Sequence, residues 1–177
     1  METDRLILRE FSYSDTTDLF QIRSDPRIME FMDSPKHQSL ADSKEKIVQM
    51  LDSYLTETGI NWAIEDKHTG KMIGYIAYWH IIKEHVRAEL GYALKTHVWG
   101  KGFMKEALRA VLQFGFQEMK LHSVGANVNP ENLASAKLLK SVGFQREGHF
   151  RENYFFNGRF IDSDIYSLIE SDFQPYL

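Results

Sequence analysis

The 177-residue chain contains no cysteine. Disulfides, thiolate metal sites and a covalent cysteine intermediate are therefore excluded, and a reducing compartment is compatible with the composition. Linkers, internal repeats and low-complexity segments are missing too, so residues 1–177 read as one domain. Positive charge is not in excess: 21 Lys and Arg face 25 Asp and Glu, a net charge of −4. That balance gives no electrostatic reason to expect nucleic acid or an anionic membrane as partner, and it suits a basic or amine-bearing one better. Long apolar runs are lacking. The opening Met1-Glu2-Thr3-Asp4-Arg5 is charged and the apolar stretch behind it is short, so neither a signal peptide nor a membrane span is expected, and the expected location is cytoplasmic. The seven histidines form no ligand spacing, and no metal is expected.

What is present alternates in a readable order. Leu6 to Phe11 reads as a first strand, and Ser12 to Asp15 as the N-cap of a helix carrying Leu19, Phe20 and Ile22. Asp25-Pro26 opens a second, short helix with proline at its first position. Ser39 to Asp42 resembles a capping box ahead of Ile47, Met50, Leu51 and Leu55 at helical spacing. Trp62 to Glu65 and Met72 to Trp79, joined at Asp66 to Gly70, predict an antiparallel hairpin. In the run from Val86 to Leu94 a period of two sets Val86, Ala88, Leu90, Tyr92 and Leu94 on one face and Arg87, Glu89 and Gly91 on the other. A long amphipathic helix follows Gly100 to Gly102, then a strand from Ser123 to Val128 and a helix with Asn129 as N-cap and Pro130 as first residue, ending by Gly143. Asn157-Gly158 marks a closing two-residue hairpin. The class is α+β with a mixed sheet.

Two segments suit chemistry. The loop from His97 to Met104 precedes a helix, so its backbone N–H groups and the helix dipole make an anion site that two glycines open to close approach. On spacing alone a plain strand-to-helix turn is the commoner reading of such a G-x-G. In the second segment, Asn132 and Ser135 fall one turn apart near a helix start, where both residue types are also ordinary capping residues. A dinucleotide fold is disfavoured, because Lys105 stands where the third glycine of G-x-G-x-x-G belongs.

The G-x-G loop after Ala88-Glu89-Leu90-Gly91-Tyr92, followed by Asn129-Pro130-Glu131-Asn132-Leu133-Ala134-Ser135 and by Leu138 to Phe144, resembles the GNAT N-acetyltransferases from Arg5 to Leu168. The opening Glu2 to Arg9, Ser24-Asp25-Pro26 and the closing Asn157 to Asp162 are similar to the branch of bacterial ribosomal-protein N-terminal acetyltransferases, the RimJ and RimL group. The resemblance implies a central, mostly antiparallel, splayed sheet of about seven strands flanked by helices. It implies acetyl-CoA as cosubstrate, with the backbone of Trp99, Gly100, Lys101, Gly102, Phe103 and Met104 around its pyrophosphate and the strand at Ala93 and Leu94 bonding its pantetheine arm. It further implies that Asn132 bonds pantetheine or neighbouring backbone, that Ser135 lies near the thioester sulfur and that Lys137 approaches a phosphate. His97 stands where the family often has Gln or Arg, so a side-chain contact to phosphate from that position is not carried over.

Acetyl transfer needs a neutral amine, and a primary alkylamine is mostly protonated at neutral pH. Glu89, at the acidic position of the family's central strand, is the candidate base; a solvated carboxylate or a partner for Arg87 is the plainer reading. Ser135 is the candidate donor to the departing thiolate, and a strand N–H near Ala93 or Leu94 would face the carbonyl oxygen. With no cysteine, direct transfer in a ternary complex is expected. The expected acceptor is a protein N-terminus such as that of a ribosomal protein, with a small amine (polyamine, antibiotic or metabolite) or a non-catalytic acetyl-CoA-binding module as alternatives. Trp79, Tyr92, Tyr154 and Phe155 read first as sheet core and second as an acceptor pocket. Strand edges near the C-terminus offer a surface for a homodimer.

Overall fold

The computed structural model describes residues 1–175. Seven strands form one mixed sheet: β1 (Leu6–Arg9), β2 (Gly59–Asp66), β3 (Lys71–Ile82), β4 (Arg87–Leu94), β5 (Ser123–Val128), β6 (Gln145–Phe156) and β7 (Arg159–Ile169). They lie in the order β1-β2-β3-β4-β5-β7-β6, and every neighbouring pair is antiparallel except β4 and β5. Helices α1 (Thr16–Ser24), α2 (Pro26–Met29) and α3 (Leu40–Leu55) precede β2; α4 (Phe103–Gln117) and α5 (Leu133–Lys140) flank β5 in the chain.

Alternation along the strands sends side chains into two cores. Leu6, Leu8, Ile76, Tyr78, Ala88, Leu90 and Leu94 pack with Leu108, Val111 and Leu112 of α4 and Leu139 of α5. Ala63, Tyr75 and Ala93 point the other way and pack with Leu19, Ile22, Ile28 and Ile47 of α1 to α3. The sheet is thus sandwiched, and fully burying each such aliphatic side chain stabilises it by about 1.5–3 kcal/mol. Asp25 caps α2 by accepting from the N–H of Arg27, and Ser39 and Asp42 complete the capping box of α3, as their spacing predicts. Among the described residues no helix is long and apolar enough to cross a membrane.

Three boundaries differ from the sequence expectation. The first strand stops at Arg9, because its guanidinium is held by Asp15 and Glu65 and the Ser12 N–H donates to Asp15, which turns the chain; Phe11 enters the second core. Val86 does not share the apolar face of β4: it ends a turn at φ 48° and is exposed, while the register between β3 and β4 breaks after Trp79. Asn129 does not cap α5. Its side chain accepts from the N–H of Glu131 and its carbonyl from that of Asn132, a tight turn that uses up Pro130, so Asn132 becomes the cap and Leu133 the first helical residue.

Candidate active site

The parallel pair β4 and β5 is short. Arg87, Ala88 and Glu89 pair with Ser123, Val124 and Gly125, and there the contact ends. Beyond that rung β4 continues beside β3 as far as Gly74↔Leu94, while β5 continues beside β7 as far as Val128↔Asp164. The two strands therefore open a wedge whose vertex is the Glu89–Gly125 rung.

Backbone alternation decides which groups line it. Lys95 donates its N–H to the Ile73 carbonyl across β3 at 2.8 Å. Alternate residues of an antiparallel ladder face the same side, so Ala93, Gly91 and Glu89 also turn their amides toward β3. The amides of Tyr92 and Leu94 turn toward the wedge, where β5 has departed. Of the two strand positions expected to reach pantetheine, Leu94 faces the wedge with its backbone and Ala93 bonds within the ladder. The Leu94 carbonyl is taken by the indole N–H of Trp99 at 2.9 Å, which folds the following loop back over the end of β4.

Gly100 and Gly102 both occupy the left-handed region, at φ 73° and 82°, which a side chain would strain. Nothing lies within 4 Å of where a Gly100 Cβ would stand, and Gly102 would meet only the Arg5 guanidinium at 3.5 Å. The loop thus presents open backbone in front of the fifteen-residue α4, whose first N–H groups and dipole favour an anion. Lys101 and Phe103 are fixed from the N-terminus. Arg5 donates to the Lys101 carbonyl at 3.0 Å, lies 4.4 Å from the centre of the Phe103 ring and is paired with Glu106, which also accepts from Thr3. Met104 is buried in the core beneath the loop.

On the far wall of the wedge, Asn132 accepts from the Ser135 N–H at 3.0 Å, leaving its amide NH₂ free of that contact. The Ser135 hydroxyl meets the Tyr92 phenol at 2.8 Å, joining α5 to β4 across the gap. Burial pushes the Tyr92 phenol up to about 12, against a smaller opposing effect of Ser135, so it keeps its proton at any ordinary pH. Lys137 is exposed on α5.

Glu89 points to the opposite face of the sheet. Its carboxylate accepts from Asn127 at 3.3 Å and stands 3.4 Å from His80, whose own φ of 57° belongs to the β3 irregularity. It makes no ion pair with Arg87. Of the four aromatic residues read first as core, Trp79 and Phe155 are instead more than half exposed; Trp79 lies beside Gly91 on the Glu89 face. The Tyr154 phenol donates to the carbonyl of Asp33, a residue lining a cavity of about 450 Å³ between the segment after α2 and the β6–β7 hairpin, at 3.0 Å; Asn129 is also in that wall. Sequence reasoning missed two residues. Arg5 was legible only as part of an opening run, since its contact with Lys101 spans 96 positions; Tyr92 was readable on the Leu90–Leu94 face, but its partner on α5 was not.

The Acetyltransferase (GNAT) domain model matches residues 5–145. The uncharacterized N-acetyltransferase p20 of Bacillus licheniformis is 34% identical over 171 residues, covering 97% of this chain and 96% of that one. Spermidine N(1)-acetyltransferase of Vibrio cholerae is 22% identical over 96% of this chain and 95% of its own length. The crystal structure of the ribosomal-protein-S5-alanine acetyltransferase from Vibrio fischeri superimposes with a TM-score of 0.83 at 25% identity, covering 99% of this chain and 98% of that chain. A wedge walled by Leu94 and Ser135, with an open glycine loop at a helix N-terminus, fits a thioester cosubstrate bearing a pyrophosphate. The chain belongs to the GNAT acetyltransferase family and is an acetyl-CoA-dependent acyltransferase.

Proposed function

We propose that the protein transfers the acetyl group of acetyl-CoA directly to the N-terminal amine of a polypeptide, a ribosomal protein being the expected class, with Glu89 as base and Ser135 as acid. The observation that carries this reading is the placement of Glu89 at the vertex of the wedge, mostly buried yet held by Asn127 and His80 rather than by a cation. A carboxylate so placed takes a proton from the incoming ammonium, directly or through water, and frees the lone pair that attacks the thioester carbonyl carbon. Negative charge developing on the carbonyl oxygen meets the strand amide of Leu94. As the carbon–sulfur bond breaks, Ser135 gives its proton to sulfur and is resupplied through Tyr92 or solvent. The backbone of Trp99 to Met104 holds the pyrophosphate, Asn132 supports pantetheine through its free amide, and Lys137 lies within reach of coenzyme phosphate.

The unroofed face around Trp79 and Glu89 suits an extended chain end. A small amine is the second reading, favoured by the end-to-end match to the spermidine enzyme. Initial-rate kinetics of thiol release with N-terminal peptides and with spermidine test both. Intersecting double-reciprocal lines with a peptide support the proposal; release with spermidine alone moves it to the second reading, and parallel lines contradict direct transfer.

A further inference from the structure

Beside Glu89 stands a cation that the reaction does not use. The half-buried Arg87 precedes Glu89 by two on the same face of β4, and its buried Nε–H has no hydrogen-bond partner among the described residues. An unpaired buried donor is costly, particularly on a charged group. Gly125 explains how the side chain fits: a Cβ there would stand 3.2 Å from Arg87 Nη2 and 3.8 Å from Glu89 Cγ. Both groups flank the same space above a residue without a side chain, while the Glu89 oxygens face Asn127 and His80 instead. Gly91 leaves similar room beside Trp79, whose Cδ1 would lie 3.4 Å from a Cβ.

We propose that Arg87 binds the first carbonyl oxygen of the acceptor while Glu89 receives its amine, so that the site selects α-amino groups of peptides over polyamines and simple alkylamines. The inference rests on Glu89 marking the acceptor side, as proposed above. In a peptide N-terminus covalent geometry keeps the amine and the first carbonyl oxygen within about 4 Å of each other whatever the torsion between them, so one residue's backbone presents both to a carboxylate and a guanidinium lying side by side. The guanidinium swings over Gly125 toward that oxygen and gains the partner its donor lacks. A polyamine carries no oxygen, and its further ammonium groups are repelled by Arg87.

The test is a titration of the CoA-saturated protein, followed by NMR, with Ala-Ala amide, with isopropylamine, which keeps the branched amine but not the carbonyl, and with spermidine. The dipeptide amide should bind at least about tenfold more tightly than isopropylamine, as a charge-assisted hydrogen bond provides. That ratio should collapse by about tenfold in Arg87→Met, recover in part in Arg87→Lys, and fall in Gly125→Ala, where the new methyl displaces the guanidinium but sits at ordinary contact distance from Glu89. A wild-type protein that binds isopropylamine or spermidine as tightly as the dipeptide amide, or a ratio untouched in both Arg87→Met and Gly125→Ala, overturns the inference. Thiol release is followed in parallel samples with acetyl-CoA in place of CoA: a preserved ratio without any release would sink the transfer reading and leave Arg87 as a carbonyl-binding residue.

Discussion

The Tyr92 phenol and the Ser135 hydroxyl lie 2.8 Å apart across the wedge, so a strand residue and a helix residue 43 positions later share one hydrogen bond, the proton relay of the proposed reaction. The Ser135→Ala variant should lower turnover by about 10²-fold near pH 7, the lower end for loss of a general acid. The loss should shrink above about pH 8.5, where a thiol leaves readily as thiolate. Tyr92→Phe should act on the same step, and the double variant should be little worse than the poorer single one. Turnover against pH for the three variants is the measurement; additive losses would separate the two hydroxyls.

A side chain at Gly100 should harm binding more than folding. The position is open, so Gly100→Val meets only the strain of a left-handed backbone, about 1–2 kcal/mol. In the proposed complex the same side chain would stand where phosphate approaches the backbone. Thermal unfolding and acetyl-CoA titration of one preparation check this. A modest fall in Tm with a far larger loss of affinity is expected, and intact affinity would put the phosphates elsewhere.

Acid should weaken the packing of the segment after α2 against α1 and α3. His37 shares a hydrogen bond with Ser43, and burial, then the nearby Arg23 charge, holds its pKa below the ordinary 6.5. The unfolded chain then takes up a proton first as pH falls below about 6.5. The stability His37 contributes is present above that pH and is lost as pH drops toward its folded value. Tm measured between pH 7.5 and 5 should fall more steeply for the wild type than for His37→Gln, and equal slopes would remove His37 from the acid response.

The parts of the fold written in local pattern were legible. Ser123 to Val128 is a strand at its expected bounds, and Asn157-Gly158 turns a hairpin with both residues at positive φ. The two glycines of the loop before α4, and Glu89 on the face away from Leu90, could be read from residue type and period. Competition between local bonds blurred other positions: Asn129 satisfies its own turn before any helix, and Arg9 is drawn to Asp15 and Glu65 rather than continuing a strand. Long-range pairings carry no signal in one sequence. The Arg5–Lys101 and Tyr92–Ser135 contacts depend on how α4 and α5 dock, and the register break beside His80 lies between Trp79 and Ile82, just before the turn at Lys83 to Val86.

The central claim is that the wedge binds acetyl-CoA and Glu89, at its vertex, frees the amine. The most direct measurement is acetyl-CoA titration and peptide-dependent thiol release, from pH 6 to 9, on wild type and Glu89→Gln. Binding should be retained, because the carboxylate faces away from the cofactor loop, while turnover falls by about 10²–10⁴-fold and its rise with pH is altered. Equal turnover in the two proteins across that range would contradict the account, as would a wild-type protein that fails to bind acetyl-CoA.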